Sequence, residues 1–301
     1  MAGATQDEDR RVTATAAVSV VVPTLGRVAP LKACLASLAA CSPRAAEILV
    51  VDQSGDPEVA SLIDGFDAAG ARLVPCRGRG VSLGRNEGLR AAAYEIVLVT
   101  DDDCTVQQDW VEVGARLLAG DPDQIATGRV LPVGDPRAVP STKETTEPYD
   151  YTGEVHGGAL FPNNMVLGRT LVLACGGFDE RFGPSEAAED NEFCYRWTRA
   201  GHRLRFEPAL VVHHHDWRTA EELVTLYARY ARGQGFLYAK HLLRGDLLML
   251  RWILRDVGWG VRALASALVK RREAWTDPRR GILRGLPGGL IHGFRVYARG
   301  G

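Results

Sequence analysis

The chain contains no stretch of 18 residues that is both uncharged and strongly apolar, so no segment reads as a transmembrane helix. Its start, Met1 to Arg11, is polar and acidic and lacks the basic segment and apolar run of a secretory leader. The six cysteines (Cys34, Cys41, Cys76, Cys104, Cys175, Cys194) form no C-x-x-C pair, and no histidine stands at zinc-finger spacing. That usage fits free thiols in a reducing compartment, and a cytoplasmic location is the default. With 301 residues, 46% of them hydrophobic, the chain can bury a sizeable core, which excludes disordered and disulfide-scaffold classes.

Net charge is also scarce, at −1, but the sum hides an asymmetry. Residues 240–301 hold 13 Lys/Arg and 4 Asp/Glu, net +9, which leaves 23 against 33, net −10, for residues 1–239. The last fifth is a different kind of surface.

Short β-branched runs alternate with helical patterns through the first hundred residues. Strands are expected at Val18–Pro23, Glu47–Asp52, Arg72–Pro75 and Ile96–Thr100, and helices at Leu31–Ala40, Glu58–Ala69 and Ser82–Tyr94. This βαβαβ order implies a parallel sheet. A helix at Gln108–Leu118 and a strand near Ile125–Leu131 follow. The stretch Pro132–Gly158 is too long for an ordinary connection and reads as an active-site loop or a plain surface insertion. Beyond it the pattern gives a strand at Ala159–Leu167, a short helix at Thr170–Ala174, a Gly176-Gly177 turn, a helix at Glu189–Ala200, a strand at Leu204–Val212 ending in His213-His214-His215, and helix from Thr219 onward.

The strongest chemical signal is Thr100-Asp101-Asp102-Asp103 after an apolar strand. Carboxylates at the carboxyl end of a central parallel strand lie where open α/β sheets bind ligands. Asp101 and Asp103 lean to one side, and hard oxygen ligands there suit Mg²⁺ or Mn²⁺ bridging phosphates. At a separation of about 4 Å and an effective dielectric near 20, each carboxylate pair repels by roughly 4 kcal/mol, so the cluster calls for a cation or hydrogen-bond donors. Glu189-Asp190 at a helix start fits a helix-dipole complement as well as chemistry, and a strand-end histidine could be a metal ligand, a proton carrier or a polar strand end. Asp52, Thr24 and Arg27 fall at the same sheet edge, with Arg79, Arg85 and Asn86 beside it for phosphate or base edges.

Two other classes compete. Residues 101–105 also spell D-x-D-x-T, the mark of haloacid-dehalogenase-like phosphatases, but about 95 residues precede it and no following lysine has the right setting. A non-catalytic sugar-nucleotide binding protein would keep Asp52 and the triplet without needing Asp190.

Read together, Val20–Arg27, Val50–Ser54, Gly84–Gly88, Val99–Asp103, Gly176–Glu180, Glu189-Asp190 and Pro208–His214 resemble the family 2 glycosyltransferases over about residues 18–217. The resemblance implies an α/β fold of GT-A type with a Rossmann-like, mostly parallel sheet, a nucleotide-diphospho-sugar donor, a divalent cation (Mn²⁺ or Mg²⁺) and inversion at the anomeric carbon. It implies that Pro23, Thr24 and Arg27 line the nucleotide pocket, flanked by Arg85 and Asn86, that Asp52 accepts a hydrogen bond from the base, and that Asp101, or Asp102 in its place, faces the ribose. Asp103 would ligate the metal, with His214, six residues after Pro208, as a further ligand and His213 and His215 as alternatives. Asp190 would be the general base, positioned by Glu189. The Gly177–Asp179 turn would shape the acceptor side, and Asn164 would lie near the donor sugar. Gln53 departs from the family's acidic or Asn residue after the base-binding Asp, which leaves the nucleotide open; UDP stays the first expectation, with dTDP or GDP behind it. No Q-x-x-R-W occurs, which favours transfer of one sugar over polymerisation.

The expected organisation is a disordered tail at 1–16, a catalytic domain at 17–217 (nucleotide half about 17–105, acceptor half about 106–217) and a basic helical region at 218–301. If one helix runs through Gly245, Arg244, Arg251, Arg255 and Arg262 share a 40° stripe with Trp252 and Trp259 beside it. Such a helix could lie on an anionic membrane at the inner face, near a lipid-linked acceptor. It could instead pack on the catalytic domain or a second subunit, which Gly258 and Gly260 favour. No nucleic-acid-binding fold is present. The acceptor is not legible.

Overall fold

The computed structural model describes residues 15–134, 139, 141–151, 158–183, 187–215, 220–270 and 280–299. Four parallel strands begin the sheet: β1 (Thr15–Thr24), β2 (Arg44–Asp52), β3 (Ala71–Pro75) and β4 (Ile96–Val99). Their helices α1 (Val28–Ala39), α2 (Pro57–Asp64) and α3 (Val81–Ala91) are the crossovers. β1, β2 and β4 are buried along most of their length because Val, Ile and Leu fill both faces, as a strand between helical layers requires.

The second half adds β5 (Cys104–Val106), α4 (Trp110–Gly120), β6 (Gln124–Val133), β7 (Tyr149–Asp150), β8 (Met165–Gly168), α5 (Arg169–Ala174), α6 (Glu189–Arg199) and β9 (Arg203–His215). The order across the sheet is β3-β2-β1-β4-β8-β6-β9-β5, with β7 also on β9. β8 runs antiparallel to β4 and β6, so the sheet is mixed beyond its parallel half. One apolar cluster packs α1, α2 and α4 on one face, and another packs α3, α5 and α6 on the other. The mostly parallel α/β architecture is therefore as expected.

Several expected elements differ in extent. The strand placed at Ala159–Leu167 shrinks to β8, because Pro162 cannot donate to a ladder and the Asn164 N–H closes a turn on the Phe161 carbonyl at 2.8 Å. The helix at Glu58–Ala69 ends at Asp64, just before Gly65, and leaves a 3₁₀ turn at Asp67–Ala69. Thr15 and Ala16, assigned to the tail, already pair with β2; the rest of that tail lies outside the described residues. In the long connection, Lys143 pairs with Val130 and Tyr149–Asp150 with β9, while residues 135–138, 140 and 152–157 lie outside the described set.

Three helices complete the chain: α7 (Ala220–Leu242), α8 (Leu248–Lys270) and α9 (Arg280–Ala298). They bury Phe236, Tyr238, Met249, Trp252 and Leu286 against Phe182 and Tyr195 of the catalytic half. α7 and α9 approach closely through glycines spaced by four: a Cβ at Gly285 or Gly289 would come within 2.2 or 1.8 Å of the Ala228 or Arg232 carbonyl. Gly245, at φ +83°, ends the α7 segment, so the expected continuous Arg stripe does not form and Arg244 falls outside α8. Trp252 is buried and only Trp259 is exposed. No described helix is long and apolar enough to cross a membrane.

Candidate active site

The register Thr24↔Asp52 and Val21↔Val99 brings the carboxyl ends of β1, β2 and β4 to one edge of the sheet. Asp52 is held by its own turn, accepting from Ser54 N (2.8 Å), Ser54 Oγ (2.6 Å) and Gly55 N (3.0 Å). Thr24 Oγ1 donates to Asp102 Oδ2 at 2.6 Å. Arg27 pairs with Asp102 and places Nη1 2.9 Å from Asp103 Oδ2, so one guanidinium neutralises two carboxylates. Burial nevertheless pushes the Asp102 carboxyl up to about 6, against the pull of Arg27 and Thr24. Pro23 lies against this edge, and Gln53 bonds both polar groups of the Gly80 backbone at 2.8 and 3.0 Å, fixing the loop before α3.

Beside them, His214 of β9 reaches Asp103, with Nε2 3.5 Å from Oδ1. The pairing Cys104↔His214 sets this face; His213 points the other way, and His215 Nε2 lies 3.0 Å from Thr105 Oγ1. Among the described residues, Asp103, Cys104 and His214 form a group able to hold a metal, with ligand atoms within 4.8 Å of one another. His214 Nδ1 is buried without a partner. Carboxylate and imidazole together fit Mn²⁺. Burial and the nearby Asp103 raise the Cys104 thiol well above its ordinary value.

The opposite wall is the first turn of α6, where Glu189, Asp190 and Glu192 meet the positive helix end. Arg85, almost wholly buried on α3, donates from Nη1 to Glu189 Oε1 at 2.8 Å and sits 3.5 Å from Asp101 Oδ1. Asp190 accepts from Asn191 N at 2.8 Å. Burial, then the charge of Glu189, raises its carboxyl to about 7. Ala188, just before this turn, holds φ at +75°, an uncommon strain for a side chain with a Cβ.

Two residues expected near the donor are buried and bonded within the protein. Asn164 is fully buried: its Oδ1 accepts from Trp110 Nε1 at 2.9 Å, and its Nδ2 donates to the Arg129 and Leu210 carbonyls, so it is a core strut with no face toward a sugar. Asn86 turns from the nucleotide edge to grip Phe178 N, Phe178 O and Glu180. A Cβ at Gly177, where φ is +59°, would come within 2.7 Å of Asn86 Oδ1. Together these contacts lock the Gly176–Glu180 turn.

Sequence reading missed the support beneath α6. Lys240 of α7, itself buried, bonds Asp179 at 2.5 Å and Glu192 at 2.6 Å. Burial alone would raise the Glu192 carboxyl, but bonds from His241, Lys240 and Arg196 hold it at about 2. A cleft of about 660 Å³ opens beside this network, lined by Arg90, Arg181, Lys240 and Arg244 among others, and contains none of the triplet or Asp190.

Fold and site together define a GT-A-type glycosyltransferase. The family model for glycosyl transferase family 2 matches residues 19–171, and the chain belongs to that family. That assignment removes the phosphatase reading. The chain is 25% identical over 277 residues (84% of it, 55% of the relative) to the pre-mycofactocin glycosyltransferase of Mycobacterium tuberculosis. It is 25% identical over 185 residues (56% of it, 58% of the relative) to the glucosyl-dolichyl phosphate glucuronosyltransferase of Haloferax volcanii. The chain thus spans little more than half the length of these curated relatives. Among solved structures, mannosyltransferase PcManGT from Pyrobaculum calidifontis in complex with GDP-Man and Mn²⁺ superposes with a TM-score of 0.62 at 18% identity, over 92% of this chain and 87% of that one. GalNAc-T7 with UDP, GalNAc and Mn²⁺ gives 0.55 at 15% identity, over 77% of this chain and 52% of that one.

Proposed function

We propose that the chain transfers a single sugar, with inversion, from a nucleotide-diphospho-sugar, UDP-linked first, to an acceptor hydroxyl. The carrying observation is Arg85, which ties the Asp101–Asp103 edge to the Glu189-Asp190 wall and holds the two halves of a displacement site in one frame. The acceptor oxygen loses its proton to Asp190 as it bonds the anomeric carbon, and the bond to the diphosphate oxygen breaks with its electron pair leaving on the nucleotide. Glu189, fixed by Arg85, positions Asp190. Asp103 and His214 would hold Mn²⁺ or Mg²⁺, which when bound supplies the positive charge that a diphosphate leaving group needs. Pro23, Thr24, Arg27 and Asp52 sit where the nucleotide would lie, with Asp101 or Asp102 toward the ribose. Asp190 also separates this reading from a non-catalytic binding protein, which has no use for a carboxyl raised toward neutrality.

The test is thermal-shift binding of UDP, dTDP and GDP, each with Mn²⁺ and with chelator. Stabilisation by one nucleotide that disappears with chelator supports the site and names the donor class; no response to any of the three overturns it. Donor hydrolysis by the wild-type chain and its loss in Asp190→Asn, with nucleotide binding kept, then tests the base.

A further inference from the structure

α8 buries Met249, Trp252, Asp256 and Ala263 against the other helices, but it leaves a second apolar face open. Leu250, Leu254, Val257, Val261, Leu264 and Leu268 recur every three or four residues and are 36 to 73% exposed. The stripe runs about 27 Å at 1.5 Å per residue. Soluble surfaces rarely show so long a row of large apolar side chains without a use for it.

What borders the stripe identifies its occupant. Arg251, Arg255 and Arg262 follow one flank, within about 40° of each other at 100° per residue. The helix has a single acidic residue, Asp256, and that side chain is buried, accepting from Tyr238 Oη at 2.6 Å. The charges α8 presents on its open side are therefore all positive. Trp259, half-exposed, lies on the far side of the arginine row from the stripe, and the Arg255 guanidinium turns toward it, 4.9 Å from its ring centre, with Nε buried 3.9 Å from Asp256 Oδ1, which leaves Arg251 and Arg262 as the exposed arginines of that flank. An apolar stripe flanked by arginines is the pattern of a helix lying in the plane of a membrane surface.

We propose that α8 docks the protein onto an anionic lipid bilayer, with the Leu/Val stripe at the headgroup–acyl boundary and the arginine row at the lipid phosphates. A second copy is the poorer occupant, because a twofold pairing across this face sets an arginine-only flank against itself. Docking through α8 also orients the catalytic half. Tyr195 of α6 bonds Asp246 at the start of α8 and meets the Trp252 ring at 5.2 Å, and α6 carries Asp190 in its first turn. The inference rests on this face alone and holds whatever sugar or acceptor the site takes.

The full chain is floated with vesicles of phosphatidylcholine alone and of phosphatidylcholine mixed with phosphatidylglycerol. It floats with the anionic vesicles and roughly thirtyfold less with the neutral ones, the factor expected of the two exposed arginines, Arg251 and Arg262, near a charged surface. High salt reduces flotation. Leu254→Ser/Val261→Ser/Leu268→Ser abolishes flotation while melting temperature and nucleotide-induced stabilisation stay at wild-type values, since all three side chains are exposed. Flotation that survives these substitutions overturns the proposal. So does a chain that ignores anionic vesicles and scatters light as a dimer which the same substitutions split, a result that gives the stripe to a second copy.

Discussion

Arg85 Nη1 lies 2.8 Å from Glu189 Oε1, joining two residues 104 positions apart in sequence. The guanidinium also sits 3.5 Å from Asp101 and over the Phe178 ring at 5.5 Å, so one buried side chain joins the carboxylate edge, the Gly176–Glu180 turn and the first turn of α6. Replacing it by Ala leaves Glu189 buried without its cation. We expect Arg85→Ala to lose about 3 kcal/mol of stability in denaturant unfolding and nearly all transfer. Arg85→Lys keeps the charge but loses the fork that spans both carboxylates, and should recover stability better than activity.

The raised Asp190 carboxyl fixes a pH dependence. A base acts deprotonated, so transfer should climb as pH rises through about 7 and then level off, and Asp190→Asn should remove the limb and lower turnover by about 10²- to 10⁴-fold. Stability runs the opposite way. A carboxyl whose folded value lies above its unfolded 3.8 favours the folded state below 3.8, and that contribution fades as pH rises toward 7. Asp190→Asn should therefore melt higher than wild type at pH 8 and almost equally at pH 4, a pattern that calorimetry across pH would show.

β1, β2 and β4 were legible as continuous Val/Ile/Leu runs, and Asp52 and the triplet because the second and third of these runs lead into carboxylates. β5 and β7 were not, since three and two residues carry no period. His214 could be named by spacing, but its choice over His213 and His215 needed the register with Cys104. Asn164 reads as a ligand-binding residue in sequence, yet Trp110 and two carbonyls satisfy its amide in the core. Ion pairs such as Arg85–Glu189 and Lys240–Glu192 join distant segments, and no local pattern announces them. The basic C-terminal stripe was legible on α8 but was carried wrongly through Gly245, whose positive φ ends the preceding helix.

Lys240 contacts both Glu192 and Asp179, and both acids are held well below their ordinary range by the cations around them. That makes them struts and poor proton acceptors. Glu192→Gln should keep the neutral-pH limb of the transfer profile where wild type has it, while Lys240→Met, which strands two carboxylates, should cost about 3 to 5 kcal/mol in unfolding. A Glu192→Gln profile shifted by a unit or more would make Glu192 a candidate base.

The Asp103–His214 pair makes the metal testable one atom type at a time. If its carboxylate and imidazole hold the cation, His214→Ala should weaken Mn²⁺-dependent nucleotide binding by at least about tenfold, the lower bound seen even for residues that only support a ligand. Mg²⁺-dependent binding should fall less, because Mg²⁺ prefers oxygen and relies on imidazole little. Asp103→Asn should weaken both. Cys104→Ala is the control: if carboxylate and imidazole hold the cation, loss of this buried thiol should cost only about 1 kcal/mol of packing and leave the Mn²⁺ response intact. Isothermal titration of the nucleotide into each variant, with Mn²⁺, Mg²⁺ or chelator, separates these cases. A Cys104→Ala chain that no longer responds to Mn²⁺ would mean that sulfur belongs to the ligand set and that the site suits a softer metal.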